Sequence, residues 1–226
     1  ADGASPVADK APISDRPVRV LCLHGTAAKG KIMQMQLARL SKQLGDRGKL
    51  ICVDSPTLSL EGPVLEQQRA LFSKIFGDDM YEFHPCLQPG LGFHITRGGS
   101  LPSTDGLDSV VNSLRNYLEV HAPIDGVLGF SEGANAASVL AAEAVAGLAK
   151  PLSFAVILNG AKPDWVVFFP ELFRDKLKLR SLHVSGLKDT DCPPTCAMKD
   201  LFHDPVCMFH DDGHKPIPST SREEAD

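Results

Sequence analysis

A short apolar run, Ile124 to Leu128, ends in Gly129-Phe130-Ser131-Glu132-Gly133 and passes without a spacer into an alanine-rich stretch, Ala134 to Ala146. Few arrangements accommodate such a segment. A buried strand must turn sharply into a helix, and a turn that tight brings backbone against backbone, which the glycines flanking Ser131 permit. G-x-S-x-G in this setting is the pattern of a nucleophile elbow, which lifts a serine hydroxyl clear of the end of a sheet. The pentapeptide alone is a weak signal, and its place between a buried strand and a helix gives it weight.

The same alternation runs along the chain. Val18 to Leu23, Lys49 to Val53, Ile124 to Phe130, Leu152 to Leu158, Arg180 to Ser185 and Pro205 to Phe209 read as strands. Between them, Lys31 to Leu44, Val64 to Phe76 and Leu107 to His121 carry apolar residues at helical spacing, and Asp164 to Phe173 and Thr195 to Phe202 read as short helices. Strands alternating with helices predict an α/β fold, a mostly parallel sheet with helices on both faces. At 226 residues the chain has length for one domain. That domain is expected over 18–218, between a flexible tail at 1–17 and a charged tail at 219–226. The irregular stretch within about 58–104 is read as a lid-like insertion, since a long structureless loop in a compact domain is usually functional.

A serine hydroxyl needs a base, and the base needs an orienting acid. When the serine sits on an elbow the partners follow in the order Ser, acid, His. His183 lies mid-strand and reads as a core histidine, and His203 ends a helix. His214, in the turn Asp211-Asp212-Gly213-His214 after the last strand, is the expected base, with His210 its rival. Asp189, three residues beyond the strand-ending Gly186, is the expected acid, with Asp191 as the alternative. Two backbone N–H groups should hold an oxyanion. One is that of Glu132, after the nucleophile and at a helix start. The other lies in the loop His24-Gly25-Thr26-Ala27, with Thr26 first and Ala27 second. Leu58, Phe72, Phe76, Tyr81, Phe83 and Phe93 are candidates to line an acyl pocket, although packing would explain them equally.

Other classes lack a signal. The net charge of −5 argues against a nucleic-acid partner. No apolar stretch approaches the ~20 residues of a membrane span. No nucleotide-binding glycine motif is present. Cys192-Pro-Pro-Thr-Cys196 has no common zinc spacing, so neither a metal nor a cofactor is expected. The polar N-terminus carries no secretion signal, and a cytoplasmic chain with reduced cysteines is expected.

The segments VRVLCLHGTAAKG, ICVDSP, GLDSVVNSLRNYLEVHAPIDGVLGFSEGANAASVLAA, PLSFAVILNGAKP, SLHVSGLKDTDCPP and FHDDGHKPIP together resemble the fungal-type serine hydrolase family, whose relatives include the ovarian-tumour-candidate serine hydrolases. The resemblance covers most of residues 18–218. It implies an α/β-hydrolase fold, hydrolysis of small-molecule esters or thioesters, in some members of acyl chains on carrier proteins, and a triad of Ser131, Asp189 and His214. A hydrolase-fold binding protein with a silent triad and a serine peptidase stand as alternatives. The oligomeric state, the acyl group and the leaving group are not legible.

Overall fold

The computed structural model describes residues 16–59, 63–83, 107–160, 164–192 and 197–219. Strand β1 (Val18–Leu23) leads through a loop into α1 (Gly30–Gln36) and α2 (Ala38–Leu44), then β2 (Gly48–Val53). A two-residue strand β3 (Thr57–Leu58), helix α3 (Pro63–Phe76) and a second short strand β4 (Tyr81–Glu82) follow. Beyond them come α4 (Leu107–Val120), β5 (Gly126–Phe130), α5 (Glu132–Val145) and β6 (Phe154–Leu158), and finally β7 (Arg180–Gly186) and β8 (Val206–His210).

Six strands form one sheet in the order β2-β1-β5-β6-β7-β8, and every pairing in it is parallel. The α/β class is therefore borne out. Side chains alternate between the faces as the period of a strand demands. Leu21 and Leu23 point to a core shared with Val110, Leu114, Leu118 and the inner face of α5. Val20 and Cys22 point the other way, to Met33 and Leu37. Both faces are thus covered, but β8 at the edge keeps Val206, Met208 and Phe209 more than half exposed.

Helix α5 is buried along its first twelve residues, Glu132 to Glu143. A helix enclosed all round needs small side chains, and the alanines let it lie against β1, β5 and α4. Arg115 of α4 makes a bidentate ion pair with the buried carboxylate of Glu143, tying the two helices together.

The expected single helix over Lys31 to Leu44 bends at Leu37 (φ −91°, ψ 3°), a buried residue that divides it into α1 and α2. Both helical hydrogen bonds of Leu37 survive, its N–H to Met33 and its carbonyl to Ser41, so the bend is a kink. The short helices expected at 164–173 and 195–202 are single 3₁₀ turns at Asp164–Phe168 and Ala197–Leu201. The β3–β4 pair was not legible, because two residues per strand carry no periodicity. Part of the expected lid, at 60–62 and 84–104, lies outside the described residues, as do most of both tails. The described part of that insertion docks on the body: Leu65 and Met80 are fully buried against Ala27 and Ile32.

Among the described residues, two histidines are enclosed in neutral form. Burial pushes both His24 and His183 from an ordinary value of 6.5 to about 4, Lys199 adding to the effect at His183. The unfolded chain takes up protons below pH 6.5 that the folded chain refuses until about pH 4, so stability is full above pH 6.5 and declines as the pH falls through that window. Each imidazole contributes roughly 3 kcal/mol across it. Calorimetric unfolding at pH 5 should show uptake of nearly two protons, with Tm falling from pH 6.5 to 4. A Tm flat over that range would contradict the enclosure of these rings.

Candidate active site

The site lies beyond the C-terminal ends of the parallel strands, where open α/β sheets place their ligands. Ser131 joins β5 to α5 with φ 56° and ψ −118°, outside the regions an L-residue favours. Strain of this kind costs ~1–3 kcal/mol and persists only where the surroundings enforce it. Here the Ser131 N–H donates to the Leu158 carbonyl at 3.0 Å, and its own carbonyl accepts from Ala134 at 3.0 Å. A Cβ at Gly129 would stand 2.1 Å from the Gly133 carbonyl oxygen, and one at Gly133 would stand 2.4 Å from the carbonyls of Leu23 and His24. Every obstructing atom is backbone, so the glycines on both sides of Ser131 are sterically required.

Asp189 lies in the turn after β7 and is buried. Its Oδ2 is 2.8 Å from His214 Nδ1 and accepts from Asn159 Nδ2 at 2.5 Å, while its Oδ1 accepts the N–H groups of Asp191 and Cys192 at 2.9 and 2.8 Å. Burial alone would raise the carboxyl, but the hydrogen bonds from Asn159, Cys192 and His214 outweigh it and hold the group below the usual carboxylate range. An ionised Asp189 accepts the Nδ1 proton of His214 and leaves Nε2 as the acceptor. Asp191 is exposed and gives its N–H to Asp189. His210 faces elsewhere, its Nδ1 accepting from Asp212 N–H at 3.3 Å.

The imidazole of His214 lies against Phe130, centroids 4.8 Å apart, one residue from the serine. No hydrogen bond joins Ser131 Oγ to His214 among the described residues. Such contacts are often long in unliganded sites and close when substrate arrives. Gly186 allows the histidine loop its approach: a Cβ there would stand 2.4 Å from the carbonyls of Asp212 and Gly213.

The loop after β1 lies against the elbow, and a Cβ at Gly25 would stand 3.3 Å from that of Ser131. The loop is pinned on several sides. Ser55 N–H donates to His24 Nε2 at 3.1 Å, so the ring proton sits on Nδ1, 2.8 Å from the Gly25 carbonyl. Ala28 and Tyr81 exchange both backbone hydrogen bonds, and the buried Lys29 ammonium donates to the Phe76 carbonyl at 3.0 Å. Thr26 is half-buried and its N–H enters none of these bonds, while Glu132 is the first residue of α5. Of the expected pocket residues, Leu58 is exposed, and Phe72, Phe76 and Tyr81 are half-buried beside this loop. Phe83 is fully buried against His24, as core. Phe93 lies outside the described residues.

Asn159 was missed in the sequence. It follows β6 with φ 44°, is fully buried, and its amide holds Asp189 while lying 3.4 Å from the Gly213 carbonyl. Its signal was available: an asparagine between a strand end and a glycine is a residue that tolerates the left-handed region. In the sequence His24 reads only as part of the loop, and its role as the loop's anchor rests on the contact with Ser55.

Comparison with known proteins places this chain among serine hydrolases. The family described as Serine hydrolase (FSH1) matches residues 13–225. The human protein named Esterase OVCA2 is 28% identical over 212 residues, 89% of this chain and 90% of its own. Esterase FPY3 of Fusarium mangiferae is 27% identical over 225 residues, 92% of each chain. Among solved structures, acyl-protein thioesterase 2 of Zea mays superposes with a TM-score of 0.60 at 20% identity, covering 92% of this chain and 91% of that one, which establishes the α/β-hydrolase fold.

Proposed function

Because the chain belongs to the serine hydrolase family FSH1, we propose that it cleaves carboxylic esters or thioesters of small acyl substrates through an acyl-enzyme formed on Ser131. The observation that carries the reading is the 2.8 Å contact between His214 and a buried, ionised Asp189, held beside the elbow serine. His214 Nε2 takes the Ser131 proton as Oγ attacks the acyl carbonyl, then returns it to the leaving alcohol or thiol. The N–H groups of Thr26 and Glu132 bind the oxyanion, the latter aided by the positive end of α5. Water enters, loses its proton to the same nitrogen, and releases the acid. Asp189 keeps the imidazole in the tautomer that leaves Nε2 free and stabilises the imidazolium. The acyl chain lies toward Leu58, Phe72, Phe76 and Tyr81, next to the oxyanion loop. No metal or cofactor is called for by these steps.

A fluorophosphonate probe with a length series of p-nitrophenyl and CoA esters tests the reading. Labelling of the folded chain and turnover of both ester classes, rising with acyl length, is the expected outcome. A folded chain that takes no label would sink the proposal in favour of a silent hydrolase fold. Cleavage confined to peptides would convert it to a peptidase, and a preference for acetyl esters would remove the extended acyl site.

A further inference from the structure

Next to the acid and the base stands a third group that the acyl-transfer steps leave idle. Asp189, Thr190, Asp191 and Cys192 form a turn closed by the Cys192 N–H on Asp189 Oδ1, 2.8 Å away. The turn brings the sulfur of Cys192 to within 4.8 Å of a carboxylate oxygen. A carboxylate oxygen of Asp189, the sulfur of Cys192 and a ring nitrogen of His214 all lie within 4.8 Å of one another. Asp189 and Cys192 are buried, His214 is half-buried, and Cys192 is in no disulfide. The nitrogen facing the carboxylate is Nδ1.

From this juxtaposition we propose an inhibitory site for a thiophilic divalent cation, Zn²⁺ in the first instance, formed by Asp189, Cys192 and His214. Thiolate and imidazole select zinc-like ions over Mg²⁺ or Ca²⁺, and three protein ligands leave a fourth, tetrahedral position to water. Ligand bonds of ~2.0–2.3 Å need donor atoms about 3.3–3.8 Å apart. The carboxylate and imidazole separate slightly from 2.8 Å, and the thiol closes in. The ion replaces the Nδ1 proton, which reappears on Nε2, while the thiol releases its proton to solvent. The net change is one proton lost for one cation bound.

The consequence for catalysis rests on the function proposed above. With its proton on Nε2, the imidazole has no lone pair to receive the Ser131 proton. The base is silenced by tautomer, with the ring still in place, and removing the ion restores it. The Cys192-to-Cys196 spacing gives no sign of this site, because two of its three ligands are the acid and the base expected of the triad.

Co²⁺ titration of the full chain, which needs no activity, reads the site directly. Wild type and Ser131→Ala should both develop a thiolate-to-cobalt charge-transfer band in the near ultraviolet with the visible bands of a four-coordinate ion. Cys192→Ser and His214→Ala should lose it, and Cys192→Ala repeats the test should the serine variant melt early. In parallel, Zn²⁺ should slow fluorophosphonate labelling by about tenfold or more, reversibly with a chelator. The half-inhibitory concentration should rise by about tenfold or more in Cys192→Ser, measured against that variant's own metal-free rate. Absence of the band in wild type, its persistence in Cys192→Ser, or equal zinc sensitivity of the two proteins would overturn the inference. A band in a chain that takes no label would leave the metal site standing and the hydrolase reading fallen.

Discussion

Ser131→Ala is expected to abolish ester turnover and probe labelling, and His214→Ala to come close, each lowering kcat on the order of 10⁶-fold. The two losses are similar in size because nucleophile and base act as a unit: an unassisted hydroxyl at neutral pH holds its proton, and a base without a nucleophile has nothing to activate. Further out, the effects should grade with distance from the reacting atoms. Asp189→Asn keeps the shape but offers its amide to Nδ1, reversing the tautomer, for a loss on the order of 10⁴-fold. Asn159→Ala removes a donor at 2.5 Å from the same carboxylate oxygen. It is a positioning residue, and its loss should lower kcat roughly tenfold, about 1.4 kcal/mol, with KM unchanged. Stopped-flow and steady-state measurement on one activated ester ranks all four. If His210→Ala proves as damaging as His214→Ala, the base is misassigned; if Asn159→Ala raises KM alone, the amide touches substrate.

Gly129→Ala is the second large effect, and it acts on folding. The added methyl would lie 2.1 Å from the Gly133 carbonyl oxygen and 2.7 Å from the Ala134 Cα, all backbone of the helix that follows the serine. Side chains can rotate away from an intruder, but a helix start bonded to its own next turn has to move bodily. Overpacking of this kind costs ~1–3 kcal/mol in ordinary cores, and a backbone clash belongs at the top of that range. For a chain of this size about 3 kcal/mol corresponds to a Tm lowered by roughly 10 °C. Activity should fall even where the variant remains folded, because Ser131 and the Glu132 N–H shift with the helix. Gly48→Ala is the contrast: its nearest neighbour is a methyl of Leu44 at 3.2 Å, on a side chain that can yield, and Tm should move by only a degree or two. Equal melting of the two variants would show that the elbow tolerates a side chain.

Much of this geometry was legible from residue order alone. The strand Val18–Leu23 is legible to the residue, and the other sheet strands to within two residues, because buried parallel strands are short β-branched runs bounded by turn formers. Ser131, Asp189 and His214 stand out as candidates because each lies a few residues beyond a strand end, which the run lengths locate. Asn159 escaped for the opposite reason: its task is to hold another side chain, and only proximity in space reveals that. Leu37 bends a helix whose apolar spacing is continuous across it, a tertiary demand of the core that local pattern does not encode. Between β2 and α4 the sequence was least informative, since β3 and β4 are held by one short pairing and by Leu65 and Met80 beneath the loop after β1.

β5, β6, β7 and β8 lie side by side, and each delivers one residue shortly beyond its last rung: Ser131, Asn159, Asp189 and His214. Neighbouring strands stand about 4.8 Å apart whatever their sequence. The sheet therefore works as a ruler, with these four side chains at its graduations. What joins one graduation to the next, by helix or 3₁₀ turn, passes over the faces or the edge and sets none of the intervals. Lengths and compositions of those connections can drift, lengthen or be exchanged while the spacing of the groups stays constant. A lineage built on this ruler can search for new substrates in its loops without having to rediscover its chemistry.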